Sequence, residues 1–200
     1  MSNNKKKEEE KEKEEEIIFK ENEKEFLKSL ERAEPIGKGL KYLKQYEKEL
    51  LDSGELKNIT HRGSSSVWLE ALSSIPIKGK INVYRPMGDI ECKFLIDNGF
   101  LPDTQPYQAI IEGSNGRQYA NKYLTGKKWT DTNPSTIVEF TCPIELIEHC
   151  KSIQTKIEDG ALSIGLGSKA GNTLPFFNES LKSNQTTFRI VKIKREIPKK

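Results

Sequence analysis

Cysteine is scarce and poorly spaced: Cys92, Cys142 and Cys150 are the whole set. An odd number with no C-x-x-C pair does not fit a disulfide scaffold, and a reducing compartment is the expectation. Long apolar runs are missing too. None approaches the ~20 residues of a membrane-crossing helix, and the N-terminus has no apolar core like that of a secretory signal. The glycosylation-type matches at Asn58, Asn178 and Asn184 therefore carry no weight. The expected location is cytoplasmic, with no membrane partner.

Histidine occurs only at 61 and 149, which leaves a catalytic triad little to draw on. Gly165, Gly167 and Gly171 do not form G-x-G-x-x-G, no P-loop lysine follows, and H-E-x-x-H does not occur. His149 and Cys150 with Cys142 would make three ligands of a zinc site that lacks a fourth. His61, Arg62 and Ser64 to Ser66 could serve acid–base or phosphate chemistry. The same cluster also suits a polar turn whose serine caps a helix over Val67–Leu72.

What is abundant is charge. Lysine and arginine number 33 against 30 acidic residues, unevenly placed. Residues 1–16 are nearly all Lys and Glu, a low-complexity leader without an apolar face to fold on, read as disordered. The other end is basic, through Arg189, Lys192, Lys194, Arg195, Lys199 and Lys200. That tail is the candidate surface for nucleic acid; the alternative is a last edge strand whose solvated lysines discourage sheet pairing. Two hundred residues suit one domain with extensions.

Between these ends the pattern is regular enough to divide the chain. Ile17, Ile18, Phe19, Phe26, Leu27 and Leu30 recur at helical spacing, as do Leu40, Leu43, Tyr46, Leu50 and Leu51. Residues 17–56 are therefore read as a helical hairpin that either caps the core or binds a partner. Residues 57–196 form the core, and 197–200 are a basic tail. Ile81 to Arg85 alternates like a strand and is expected to stop at Pro86. Short helices are predicted around Ile90–Ile96, Arg117–Leu124 and Ile144–Ile147. Ala109–Glu112, Thr136–Cys142 and Thr187–Ile193 read as strands. Strands and short helices without a βαβ repeat predict an α+β fold with a mixed or antiparallel sheet.

Several short segments carry a resemblance. Val83-Tyr84-Arg85, then Gly99-Phe100-Leu101-Pro102, Tyr119 to Tyr123, the strand Ile137–Phe140 and a late Glu179 follow one another in the order of the ADP-ribosyltransferase-like superfamily. The chain resembles its toxin-type members over roughly residues 81–194. The resemblance implies a split sheet with a cleft for NAD as substrate, and a protein acceptor for the transferred ADP-ribose. Arg85, beside Tyr84, would grip the dinucleotide phosphates as a bidentate fork. Glu179, next to Asn178, would stabilise the oxocarbenium-like transition state as the nicotinamide–ribose bond breaks. Ser114 or Tyr119 would supply the middle element. The family's Ser-x-Ser strand motif is missing, and Phe177-Asn178-Glu179 stands in place of its Glu-x-Glu or Gln-x-Glu. Read without the resemblance, Arg85 is a partner for Glu91 or Glu112, and Tyr119 and Tyr123 are core residues one helical turn apart. Glu179 would then be an exposed residue in the first turn of a helix capped by Asn178. The alternative function is a non-catalytic module that binds protein or nucleic acid.

Overall fold

The structure is a computed structural model that describes residues 36–60, 66–103, 109–112, 115–125, 134–167 and 173–196. The leader, the first half of the expected hairpin, residues 61–65, Ser114 and the 197–200 tail lie outside those residues. The described chain is α+β, with five helices and one eight-stranded sheet.

In chain order the elements are α1 (Ile36–Asp52), β1 (Lys57–Thr60), β2 (Ser66–Glu70), β3 (Lys80–Met87) and α2 (Asp89–Asn98). Then come β4 (Ala109–Glu112), α3 (Gly116–Leu124), β5 (Thr136–Pro143), α4 (Ile144–Ile153) and β6 (Thr155–Glu158). Last are β7 (Ala161–Gly165), α5 (Leu174–Lys182) and β8 (Thr187–Glu196). Every strand pairing is antiparallel, in the order β1-β2-β8-β5-β3-β4-β7-β6. One join is narrow: β3 meets β4 only through Tyr84 opposite Ile111. The sheet is continuous, with a pinch at that point.

Three sequence expectations are corrected. Val67–Leu72 is not a helix, since Ser66–Glu70 forms β2 between β1 and β8. Its helix-forming Leu-Glu-Ala-Leu composition yields to pairing on both sides, the tertiary context that overrides local propensity. β8 is not an edge strand, for it lies inside the sheet between β2 and β5. And β3 continues through Pro86, which sits opposite Ile137. Proline fits there because β4 reaches β3 at Tyr84 alone, so donors are needed on one side of the strand only.

Register decides which side chains share a face, because directly opposed residues point the same way. Val83 faces Phe140 and Arg85 faces Val138 on one side, while Tyr84 faces Glu139 and Asn82 faces Thr141 on the other. The first side is the main core. Phe177 of α5 meets Phe140 edge-on at 5.3 Å, Glu91 of α2 pairs with Arg85, and Lys151 of α4 reaches Glu112. Among the described residues the second side is covered by α3 alone, whose first residue has no room for a side chain. A Cβ on Gly116 would stand 3.0 Å from the Ile111 carbonyl oxygen and 3.1 Å from the Tyr84 ring. Because α3 lies over the β3–β4 region, no helix among the described residues lies on the β1–β2–β8 half of that face.

Candidate functional site

A bulge aims one lysine into this half-covered face. Between β5 and β8 the register slips at Ile137/Val138, so that Glu139 lies opposite Arg189 and Ile137 opposite Lys192. Two residues on β5 thus span three on β8. Without the extra residue, Val191 would share the face of Arg189; with it, Lys192 does. Re-aiming a side chain is what bulges beside functional sites commonly do.

The result is a cleft of about 800 Å³, within the usual range of small-molecule sites. Its walls are Lys57 and Ile59 of β1, Glu70 of β2 and Lys192 of β8. The chain from Ala71 to Pro76 forms the rim, and Asn82 and Tyr84 of β3 the floor. Arg117, Gln118 and Asn121 enter from α3. Three cations thus face one carboxylate, amid amides and hydroxyls.

Arg117, Lys192 and Glu70 are held in place by one another and by their neighbours. Arg117 donates to the Ser73 hydroxyl at 2.9 Å, to the Ala71 carbonyl at 2.5 Å and to the bulge carbonyl of Val191 at 3.2 Å. Its ion pair with Glu70 is longer, 3.4 Å. Lys192 lies 3.7 Å from Glu70 and 4.5 Å from the centre of the Trp68 ring, a cation–π contact. Burial pulls the Lys192 ammonium below its ordinary value; Glu70 opposes that, and Arg117 adds to it. Its positive charge is therefore under-compensated by the protein around it.

Beneath the rim lies a second polar cluster. The Glu139 carboxylate is only 1 % exposed. Its Oε1 accepts from Arg189 Nε at 2.8 Å and from the Ser74 hydroxyl. Among the described residues its Oε2 has no hydrogen-bond partner. Asn82 donates to Ser74 Oγ and accepts from Thr141. The segment from Ala71 to Ile77 is consequently everted. Ser74 turns inward to these partners and Ser73, itself exposed, meets Arg117, while Leu72, Ile75 and Ile77 are 75, 91 and 62 % exposed.

The Tyr84 phenol is pushed up to about 12 by its burial first and the Glu139 carboxylate second. It is therefore a proton-retaining donor near neutral pH, not an acid poised to give its proton away. Of the six tyrosines, the one removed by Tyr84→Phe should be missing from the late end of an absorbance titration. The lost transition is expected near pH 12, where an ordinary tyrosine would leave near 10. Because folding raises this pKa, the stability it contributes is complete below pH 10.0 and is lost as pH climbs through about 12.

The residues singled out from sequence are not brought together. Tyr84 lines the cleft. Arg85, its neighbour, points to the opposite face of the sheet and is 6 % exposed, with its Nε 2.6 Å from Glu91. Glu179 is exposed on α5, a helix that begins at Leu174 with Thr173 as its N-cap. Glu179 therefore lies in mid-helix, not in a first turn capped by Asn178. Asn178 spans the Leu101 backbone, accepting from its N–H and donating to its carbonyl, both at 2.9 Å. It fixes the loop after α2. Tyr119 is buried under α3 against Tyr123, ring centres 5.8 Å apart. Ser114 lies outside the described residues. Arg85 and Glu179 line no common cavity among the described residues.

The cleft and the polar cluster beneath it left two faint traces in the sequence. Asn82 and Glu139 are polar residues inside otherwise apolar strands, where burial without a partner is costly. Arg117 and Lys192 looked like ordinary surface charges. The four cations of β8 are likewise tied inward: Arg189 to Glu139, Lys192 to Glu70, Lys194 to the Leu124 carbonyl, and Arg195 to Glu47 and Asp89. All three cysteines are buried and free. Among the described residues no cluster of His, Cys, Asp or Glu could hold a metal, and no helix is long and apolar enough to cross a membrane. Comparisons of the chain with protein-family models, with curated proteins and with solved structures give no match.

Proposed function

We propose that the chain binds a small anionic molecule rich in hydroxyl groups, the chemistry of a sugar phosphate or nucleotide, in the cleft beside α3. The supporting observation is the excess of three cations over one carboxylate in a cleft whose remaining lining mixes amides and hydroxyls with Ile59, Leu72, Pro76 and Ile81. An anion seated between Arg117 and Lys192 would supply the compensation that Lys192 lacks. Asn82, Gln118 and Asn121 each offer both a donor and an acceptor to ligand hydroxyls. NAD belongs to this class, so cleavage of its glycosidic bond is the catalytic form of the proposal. Such a reaction would draw its carboxylate from Glu70, the acidic residue that lines the cleft, and not from Glu179.

Titration calorimetry with NAD, ADP-ribose and sugar phosphates tests the binding, and nicotinamide release tests the catalysis. Lys57 is exposed on the cleft wall, so Lys57→Glu keeps the fold while reversing one charge. It is expected to weaken anion binding about fivefold, roughly 1 kcal/mol at a solvated position. Glu179→Ala is expected to change neither binding nor release. No heat with any phosphorylated ligand at millimolar concentration would remove the proposal.

A further inference from the structure

Lys192 is the most loosely paired cation of β8, and its surroundings suit a reaction as well as a charge. Arg189 and Lys194 have their partners at 2.8 and 2.9 Å. Lys192 lies 3.7 Å from Glu70, beyond ordinary hydrogen-bond distance. Arg117 approaches the same Glu70 oxygen at 3.4 Å, so two cations share it. Burial comes first in drawing Lys192 toward the uncharged amine; Glu70 opposes this and Arg117 reinforces it. An uncharged amine is a nucleophile, and a desolvated lysine beside a second cation is a known setting for reaction with carbonyl groups. The side chain is also confined, 13 % exposed and standing over the Trp68 ring while it faces the cleft.

Strand pairing places a second lysine at a defined distance. Lys57 lies opposite Glu70, and Glu70 opposite Lys192, one row across three neighbouring strands. Two strand spacings separate the backbones of the two lysines by roughly 10 Å. The carboxylate stands between them with Arg117 beside it. A molecule that offers a carbonyl to Lys192 and a phosphate to Arg117 and Lys57 needs only a short carbon chain between the two groups.

Given the anion site in the cleft, on which this rests, we propose that Lys192 forms an imine with the carbonyl carbon of a short phosphorylated aldehyde or ketone. The ammonium first gives one proton to Glu70. The amine lone pair then attacks the carbonyl carbon, the C=O electron pair moves to oxygen, and a proton passes from nitrogen to that oxygen. Glu70 returns its proton as the C–O bond breaks and water leaves. Ammonium and carbonyl thereby become a protonated imine and one water, with no oxidation or reduction. The product is again a cation, so it keeps its place over Trp68 and beside Glu70.

The test incubates the full chain with dihydroxyacetone phosphate and cyanoborohydride, which reduces an imine to a stable secondary amine. Peptide mass spectrometry then locates the modified lysine. Lys192 is expected to be labelled at least about tenfold faster than exposed lysines, because the held phosphate positions the carbonyl beside it. Inorganic phosphate should slow that labelling, and dihydroxyacetone without its phosphate should label Lys192 no faster than the rest. Lys192→Arg keeps a cation over Trp68, and the variant, shown to be folded by circular dichroism, should lose the fast label. A fast label that persists in it belongs to another lysine and overturns the proposal. So do labels spread evenly over exposed lysines; if calorimetry still shows inorganic phosphate binding, the anion site survives without the imine. Fast labelling of Lys192 that is indifferent to phosphate upholds the imine and removes the anion site. Neither binding nor selective label overturns both.

Discussion

Glu91→Ala is expected to lose about 3–5 kcal/mol of folding stability, the usual consequence of leaving one member of a buried ion pair uncompensated. Arg85 and Glu91 are joined at 2.6 Å, with side chains 7 and 5 % exposed. Two charges taken out of water are tolerable only while they face each other. Remove the carboxylate, and the guanidinium, held by β3 beneath α2, cannot reach solvent without displacing that helix. For a chain of this size the fall in Tm is on the order of 10 °C, read by thermal unfolding in circular dichroism. The pair itself is replaceable. Arg85→Met with Glu91→Leu fills similar volume without charge and should recover most of the loss. A Glu91→Ala variant within about 1 kcal/mol of the parent would show that Arg85 is satisfied without Glu91. The double variant also separates architecture from ligand binding: if it folds, anion binding in the cleft on the opposite face should be unchanged.

The second large effect contrasts two residues two positions apart on α5. Phe177 is fully buried and meets Phe140 edge-on, and this contact holds the helix to the middle of the sheet. Phe177→Ala should cost about 3–5 kcal/mol through lost burial and the cavity left behind. Glu179 points the other way, into solvent, and Glu179→Ala should leave the denaturation midpoint within scatter. Urea unfolding checks both. A small loss at Phe177 would mean that α5 contributes little to the core, while a large loss at Glu179 would require a partner absent from its surroundings.

That contrast also explains how much could be read from the sequence. α1, β5 and α3 announce themselves because their apolar periods match the faces they bury, Leu43 and Leu50 on α1 and Val138 and Phe140 on β5. The α+β class follows from the same periods. The cleft was harder to see because it depends on pairing and not on period. Tyr84 and Arg85 are adjacent in sequence, yet a strand sends neighbours to opposite faces, so one lies in the cleft and the other under α2. Lys192 reaches the cleft only through a bulge, which no single strand's sequence reveals. Val67 to Leu72 looked helical because the partners that make it a strand are nearby β1 and distant β8. The basic run of β8 looked like a tail because nothing local says that Glu47, Glu70, Asp89 and Glu139 wait for its charges.

The position of β8 bears on how the chain is made. A ribosome delivers β1 and β2 first, and they can pair with each other at once. They cannot join β3 and β5 until the strand that lies between them has emerged, more than a hundred residues later. Until then β2 and β5 each present an unpaired edge and half of an apolar face, the features that invite wrong partners during synthesis. Closure of the sheet is therefore a late event, dominated by contacts distant in sequence and correspondingly slow. Glu47, Glu70, Asp89 and Glu139 remain without their β8 cations until that strand emerges.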